Sequence, residues 1–138
     1  MFLTGFTDEA GSDFAVQLKA TRELGWKFME SRGINGKNLA TLTEGEFEAV
    51  AEQLHTAGIA INCYGSAVAN GGKSPRSEAD IRASYDELLR VLPRMRELKI
   101  RLLRGMSFRP VENEAPDSPE LEEIIFRHVR HVTAASDG

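Results

Sequence analysis

The chain has 138 residues, 41% of them hydrophobic, which suffices for one core without disulfides or a structural metal, and its formal net charge of -4 argues against general nucleic-acid affinity. The single Cys63 has no second cysteine for a bridge or a zinc knuckle, no basic N-terminal region precedes an apolar run, and no apolar stretch approaches a bilayer span. The expected setting is reducing and cytoplasmic, with neither nucleic acid nor membrane as a partner.

Short apolar runs alternate with amphipathic stretches, the pattern of parallel strands joined by helical crossovers. Strands are expected over residues 1–6, 26–29, 59–64 and 100–106, each followed by a helix. The first helix, near 13–24, gathers Phe14, Leu18, Ala20 and Leu24 on one arc, with Ser12 or Asp13 as its N-cap. In the second, Thr43 and Glu46 have capping-box spacing, Phe47, Val50, Ala51 and Leu54 form the apolar stripe, and Gly58 can take a left-handed cap. The third starts at Ser77 and carries Ile81, Leu88, Leu92 and Met95, with Pro93 expected to kink it near Leu89. The fourth opens on Ser118 and Pro119, and its expected buried face is Leu121, Ile124, Ile125, Val129 and Val132.

Three helix exits look alike, Leu24-Gly25-Trp26, Ala57-Gly58-Ile59 and Leu98-Lys99-Ile100, each turning straight into a strand. Gly138 falls where the cap before a fifth strand would stand, so the chain reads as incomplete. The expected fold class is α/β: a single domain over 1–138 made of about four parallel β/α units, half of a TIM-type barrel. A small, complete doubly wound sheet is the competing architecture. A half barrel would leave open strand edges and an uncovered apolar interior, which favours a homo-oligomer.

In parallel β/α folds, ligands bind at the carboxyl ends of the strands. Here those ends carry Thr7-Asp8-Glu9, then Glu30-Ser31-Arg32 with Lys37-Asn38, then Asn62-Cys63-Tyr64-Gly65-Ser66, then Arg104 to Arg109. Carboxylates beside guanidinium and ammonium groups suit a polyhydroxylated or anionic small molecule such as a sugar or sugar acid, although the same charges can simply cap helices and pair with one another. Glu30 and Arg32, two apart on one strand, share a face and form either a ligand clamp or an internal salt bridge. Cys63 has no activating neighbour in sequence and reads as structural. His55, His128 and His131 lie in helices, where packing or solvation is the default, and no further ligand is spaced to complete a metal site around the last two.

Two glycine-containing segments call for comparison with anion-binding loops. Residues 67–74, Ala-Val-Ala-Asn-Gly-Gly-Lys-Ser, match a P-loop except at the first glycine, but Pro75 follows at once and Ser77 is the better helix cap, which argues against a nucleotide site. Asn35-Gly36-Lys37 could present backbone donors and a Lys to an anion, though such turns mostly reverse the chain.

Taken together, Gly5-Phe6-Thr7-Asp8-Glu9, Met29-Glu30-Ser31-Arg32 with Asn35-Gly36-Lys37-Asn38, Ile61 to Ser66, and Arg104-Gly105-Met106-Ser107 resemble the xylose-isomerase-like sugar phosphate isomerase/epimerase family, over the N-terminal half of its barrel. The resemblance implies metal-assisted proton transfer between adjacent carbons of a small sugar or sugar phosphate. It also implies a divalent metal (Mn, Mg, Co or Zn) in the intact protein, held by residues on later strands, so that none is expected to bind this chain alone. It assigns substrate contacts to Glu30, Arg32, Lys37, Asn38 and Arg104, leaves the catalytic residues unknown, and suggests inactivity for a chain of this extent. A non-catalytic, self-associating half barrel is the alternative, and an abasic-site endonuclease branch of the same superfamily is a third, against which the acidic balance counts.

Overall fold

The computed structural model describes residues 1–136, and the expected cap at Gly138 lies outside them. By its internal contacts the chain has two compact units: unit 1 is Met1–Ser66 with Pro93–Arg104, and unit 2 is Ala67–Leu92 with the described residues from Gly105 to Ser136.

Within unit 1, a 3-10 turn at Thr7–Glu9 leads to helix α1 (Phe14–Glu23), strand β1 (Phe28–Ser31), helix α2 (Glu44–Ala57) and strand β2 (Ala60–Gly65). Helix α3 (Glu78–Glu97) then precedes strand β3 (Leu102–Arg104). The sheet is wholly parallel in the order β1-β2-β3. Parallel neighbours that are also sequence neighbours need a helical crossover each time, and α2 and α3 supply them. Helix α4 (Pro119–Ser136) belongs to unit 2.

Local chemistry sets the ends of these elements. Asp13 caps α1 by accepting from the amides of Ala15 at 2.7 Å and Val16 at 3.3 Å. The Thr43–Glu46 capping box forms at α2: the Glu46 amide donates to Thr43 Oγ1 at 3.3 Å and the Thr43 amide to Glu46 Oε2 at 2.7 Å. All three helix exits take the left-handed backbone, with φ of 70° at Gly25, 64° at Gly58 and 57° at Lys99. A side chain in that region is unfavourable, so the last exit is the strained one. Large side chains fill unit 1: Phe14, Met29, Ile34, Leu39, Phe47 and Tyr64 are all essentially inaccessible. Each such burial contributes about 1.5–3 kcal/mol.

Two expectations are corrected, the strand over residues 1–6 and part of the buried face of α4. Residues 1–6 do not form a strand; only Phe6 bridges to Glu30, while the Glu30 amide donates to Gly5 O at 2.9 Å. The sheet therefore has three strands rather than four. In the β1–β2 pairing the register shifts between Met29 and Glu30, where Asn62 of β2 is skipped. Helix α3 contains Pro93, and the carbonyl this leaves without a donor belongs to Leu89, which is exposed and can turn to water. On α4 the expected apolar face is corrected at one position: Leu121 is buried and Ile124, Ile125 and Val132 are half-buried, but Val129 is exposed and His128 is buried. His128 stands seven residues from Leu121 and completes the stripe in place of Val129.

Candidate functional site

The carboxyl ends of β1, β2 and β3 in unit 1 assemble a charged cluster around Phe6. Pairing across the sheet sets Glu30 of β1 beside Cys63 of β2, and Gly65 of β2 beside Arg104 of β3. Parallel strands all point their carboxyl ends the same way, so these residues share one rim. The Arg32 guanidinium lies 5.2 Å, and that of Arg104 4.8 Å, from the centroid of the Phe6 ring, both within cation-π range. Gly65 makes room for that ring: a Cβ there would come within 2.6 Å of Phe6 Cε1.

Arg32 is spoken for. Its Nε donates to Asp8 Oδ2 at 2.8 Å and its Nη2 to Glu9 Oε1 at 2.6 Å, and these two carboxylates push its pKa up, Asp8 contributing most. Of the two arrangements expected for Glu30 and Arg32, the salt bridge between them is not the one formed: Arg32 pairs with the turn after Phe6 instead. Arg104 has a different position. Its backbone carbonyl accepts from Ser66 Oγ at 2.6 Å, while its Nε is buried without a hydrogen-bond partner. Ser31 Oγ and Asp8 Oδ1 are likewise buried and unpartnered. Buried polar atoms of this kind are costly unless something completes their bonding, so the rim is chemically unsaturated. Burial, helped by the nearby Glu30 charge and opposed by Arg104, raises the Cys63 thiol pKa; a thiol held protonated is a poor nucleophile.

Lys37 and Asn38 sit apart from this cluster. Asn35 and Gly36, with φ of 51° and 77°, form a tight turn closed by the Ile34–Lys37 bridge, so this segment reverses the chain. The Lys37 ammonium lies 2.6 Å from Glu46 Oε1 in the α2 capping box. That contact, followed by the Thr43 bonds, holds the Glu46 carboxyl at a pKa of about 2. Asn38 makes a turn with Thr41, and its Oδ1 is buried without a partner. The P-loop-like segment in unit 2 is spent internally as well: Lys73 Nζ donates to Ala67 O and lies 3.8 Å from Glu87 Oε2, the Ser74 amide donates to Asp80 Oδ2, and α3 begins at Glu78. This is not a phosphate loop.

Phe6 and Gln17 are the residues that sequence reasoning missed. Phe6 read as an apolar strand residue, with no sign of its two arginines. Gln17 is fully buried, donates to the carbonyls of Gly11 at 3.0 Å and Gly33 at 2.9 Å, and accepts from Thr7 Oγ1 at 3.0 Å. Its signal was a polar residue next to Leu18 on the apolar arc of α1.

A parallel three-stranded sheet with alternating helices and a polar rim at the strand ends is an α/β arrangement of the kind that TIM-type barrels repeat. Neither a protein-family model nor a curated protein sequence matches the chain. Among solved structures, it is similar to a xylose isomerase-like TIM barrel protein from Mycobacterium smegmatis in complex with magnesium, with a TM-score of 0.71 at 13% identity, covering 99% of this chain and 51% of that one. It is also similar to D-psicose 3-epimerase from Clostridium cellulolyticum H10 with D-tagatose, with a TM-score of 0.68 at 16% identity, covering 99% and 49%. The likeness shows a TIM-barrel fold, and the chain spans about half the length of the structures it matches, consistent with the half barrel expected from its sequence.

The divalent metal implied by the resemblance needs several converging donors. Among the described residues, no group of three or more His, Cys, Asp and Glu side chains is placed to hold one. The residues present do not make that site. No helix among them is long and apolar enough to cross a membrane.

Proposed function

We propose that this chain is the substrate-facing part of a sugar isomerase or epimerase, one that moves a proton between adjacent carbons of a small sugar or sugar phosphate. The observation that supports it is the unsaturated rim at the strand ends, where Glu30 and Arg104 lie on either side of Cys63 in a barrel of this kind. Glu30 can accept from sugar hydroxyls and Arg104 can donate to a hydroxyl or phosphate oxygen. Arg32, neutralised by Asp8 and Glu9, holds the wall of the site. Lys37 and Asn38 would act from the following turn only if the Lys37 ammonium left Glu46. Any metal that the intact protein uses is held by residues outside those described, so the chain binds and orients without turning substrate over.

The test is nuclear magnetic resonance of the chain titrated with D-tagatose and with a ketose phosphate, at concentrations on the order of 10 mM. Saturable shifts at Glu30, Cys63 and Arg104 that vanish in Arg104→Ala are expected, with no interconversion of the sugar when manganese is added. Absence of shifts with every ketose would overturn the assignment of the rim, and turnover by the chain would overturn its inactivity. A second reading, self-association through sheet edges, is supported by Leu102, which is 59% exposed on the edge strand β3. Sedimentation equilibrium checks it: a concentration-dependent mass is expected, and a strictly monomeric chain ends that reading.

A further inference from the structure

In unit 2, α4 is buried at only two residues, Leu121 and His128. The His128 ring meets Tyr85 of α3 edge-on at 5.4 Å and Phe108 at 4.8 Å. His131, one turn further along α4, meets the same Tyr85 edge-on at 4.9 Å. Phe108 reaches His128 from a left-handed backbone, φ 67°, held by its amide donating to Ala69 O at 2.6 Å. A bulky residue in that region is an outlier that surrounding contacts must enforce. Both ring nitrogens of His128 and the Tyr85 hydroxyl are buried without hydrogen-bond partners.

We infer that His128 is a proton-sensitive anchor: neutral, it packs α4 against Tyr85 and Phe108, and protonated, it releases the helix. The titratable and charged groups that face it are Tyr85 from α3, Lys73 from the segment before α3, and His131 from its own helix; from the stretch before α4 the contact is the Phe108 ring. Lys73 shares its charge with Glu87 and is otherwise bound to Ala67 O. An imidazolium here would lack a hydrogen-bond acceptor and face two basic groups. Burial first, then His131 and Lys73, lower the His128 pKa from its ordinary 6.5. The sign follows: a group whose folded pKa is depressed stabilises the fold above its unfolded value, and that contribution is lost as pH falls from 6.5 through the folded value. Release starts at the middle of α4, because its first turn is held separately by Ser118 capping Leu121 and by Arg76 pairing with Glu120.

Amide hydrogen exchange of the whole chain between about pH 7.5 and pH 5, corrected for the intrinsic rate and run beside a resonance titration of His128, tests this. Protection of α4 after its first turn is expected to fall about tenfold per pH unit between the unfolded and folded pKa values, while β2 stays protected. His128→Phe should keep α4 protected throughout, and His131→Gln should retain the loss. Protection that is flat with pH, or a His128 that titrates at or above its ordinary value with α4 still protected, overturns the inference. Should His128→Phe fail to fold, the wild-type titration decides alone. None of these readouts depends on sugar binding.

Discussion

Gly65→Ala is expected to damage the rim from beneath. Gly65 is not among the positive-φ glycines, so alanine meets no backbone objection and the cost is steric. Its Cβ would lie 2.6 Å from Phe6 Cε1, 3.2 Å from Phe6 Cζ and 3.2 Å from Arg32 Cβ. Carbon atoms pack at about 3.5–4.0 Å, so the ring must withdraw by about 1 Å. Overpacking of this kind costs about 1–3 kcal/mol, and a displaced ring also weakens two partly exposed cation-π contacts of about 0.5–1 kcal/mol each. The sum is a loss of about 2–5 kcal/mol, read as a lower urea midpoint at unchanged slope. The Phe6→Leu background removes the colliding ring atoms, so the same substitution there should cost less by at least about 1 kcal/mol. A loss below about 0.5 kcal/mol, or an identical loss in both backgrounds, refutes the idea that Gly65 exists to seat Phe6.

Two further outcomes follow from unit 1. Gln17→Leu leaves the Gly33 and Gly11 carbonyls and the Thr7 hydroxyl without their partner, and should lower stability by about 1–3 kcal/mol in a calorimetric melt; an unchanged or raised melting temperature would sink the account. Lys37→Met should raise the Glu46 carboxyl from about 2 toward, but not to, its ordinary 4.5, since Thr43 still donates to it. The Glu46 contribution is present above that ordinary value and lost as pH falls through the folded value, so the variant should lose it at higher pH; a carbon-detected titration still centred at about 2 would show that Lys37 is not the cause.

The helices were legible because their signals are local. A cap, an apolar stripe and a left-handed exit all lie within one stretch of chain, and the Thr43–Glu46 box and Gly58 stand where their spacing puts them. Even Lys99, with no glycine to mark it, takes the backbone that its position demands. Strand formation at residues 1–6 was not legible, because an apolar run does not show whether a neighbour will pair with it beyond one residue, and here only Phe6 bridges to Glu30. For His128 the sequence left packing and solvation both open, and the neighbours that decide for packing, Tyr85 and Phe108, are distant in sequence and accept a neutral imidazole as they would a phenyl ring.

The candidate site was legible as a location and not as a set of working groups. Position at strand ends follows from topology, and Glu30, Arg32 and Arg104 duly meet around one rim. Which charges remain for a ligand depends on pairing between residues distant in sequence, and that redistributes the roles. Asp8 and Glu9 occupy Arg32, Glu46 occupies Lys37, and a peptide carbonyl with Glu87 occupies Lys73. Arg104 keeps a buried Nε with no hydrogen-bond partner, resting on a ring that is held in place by a glycine. Removing Arg104 should therefore weaken ligand binding at the rim directly, whereas removing Arg32 should act through the Phe6 wall and be felt in stability as much as in affinity.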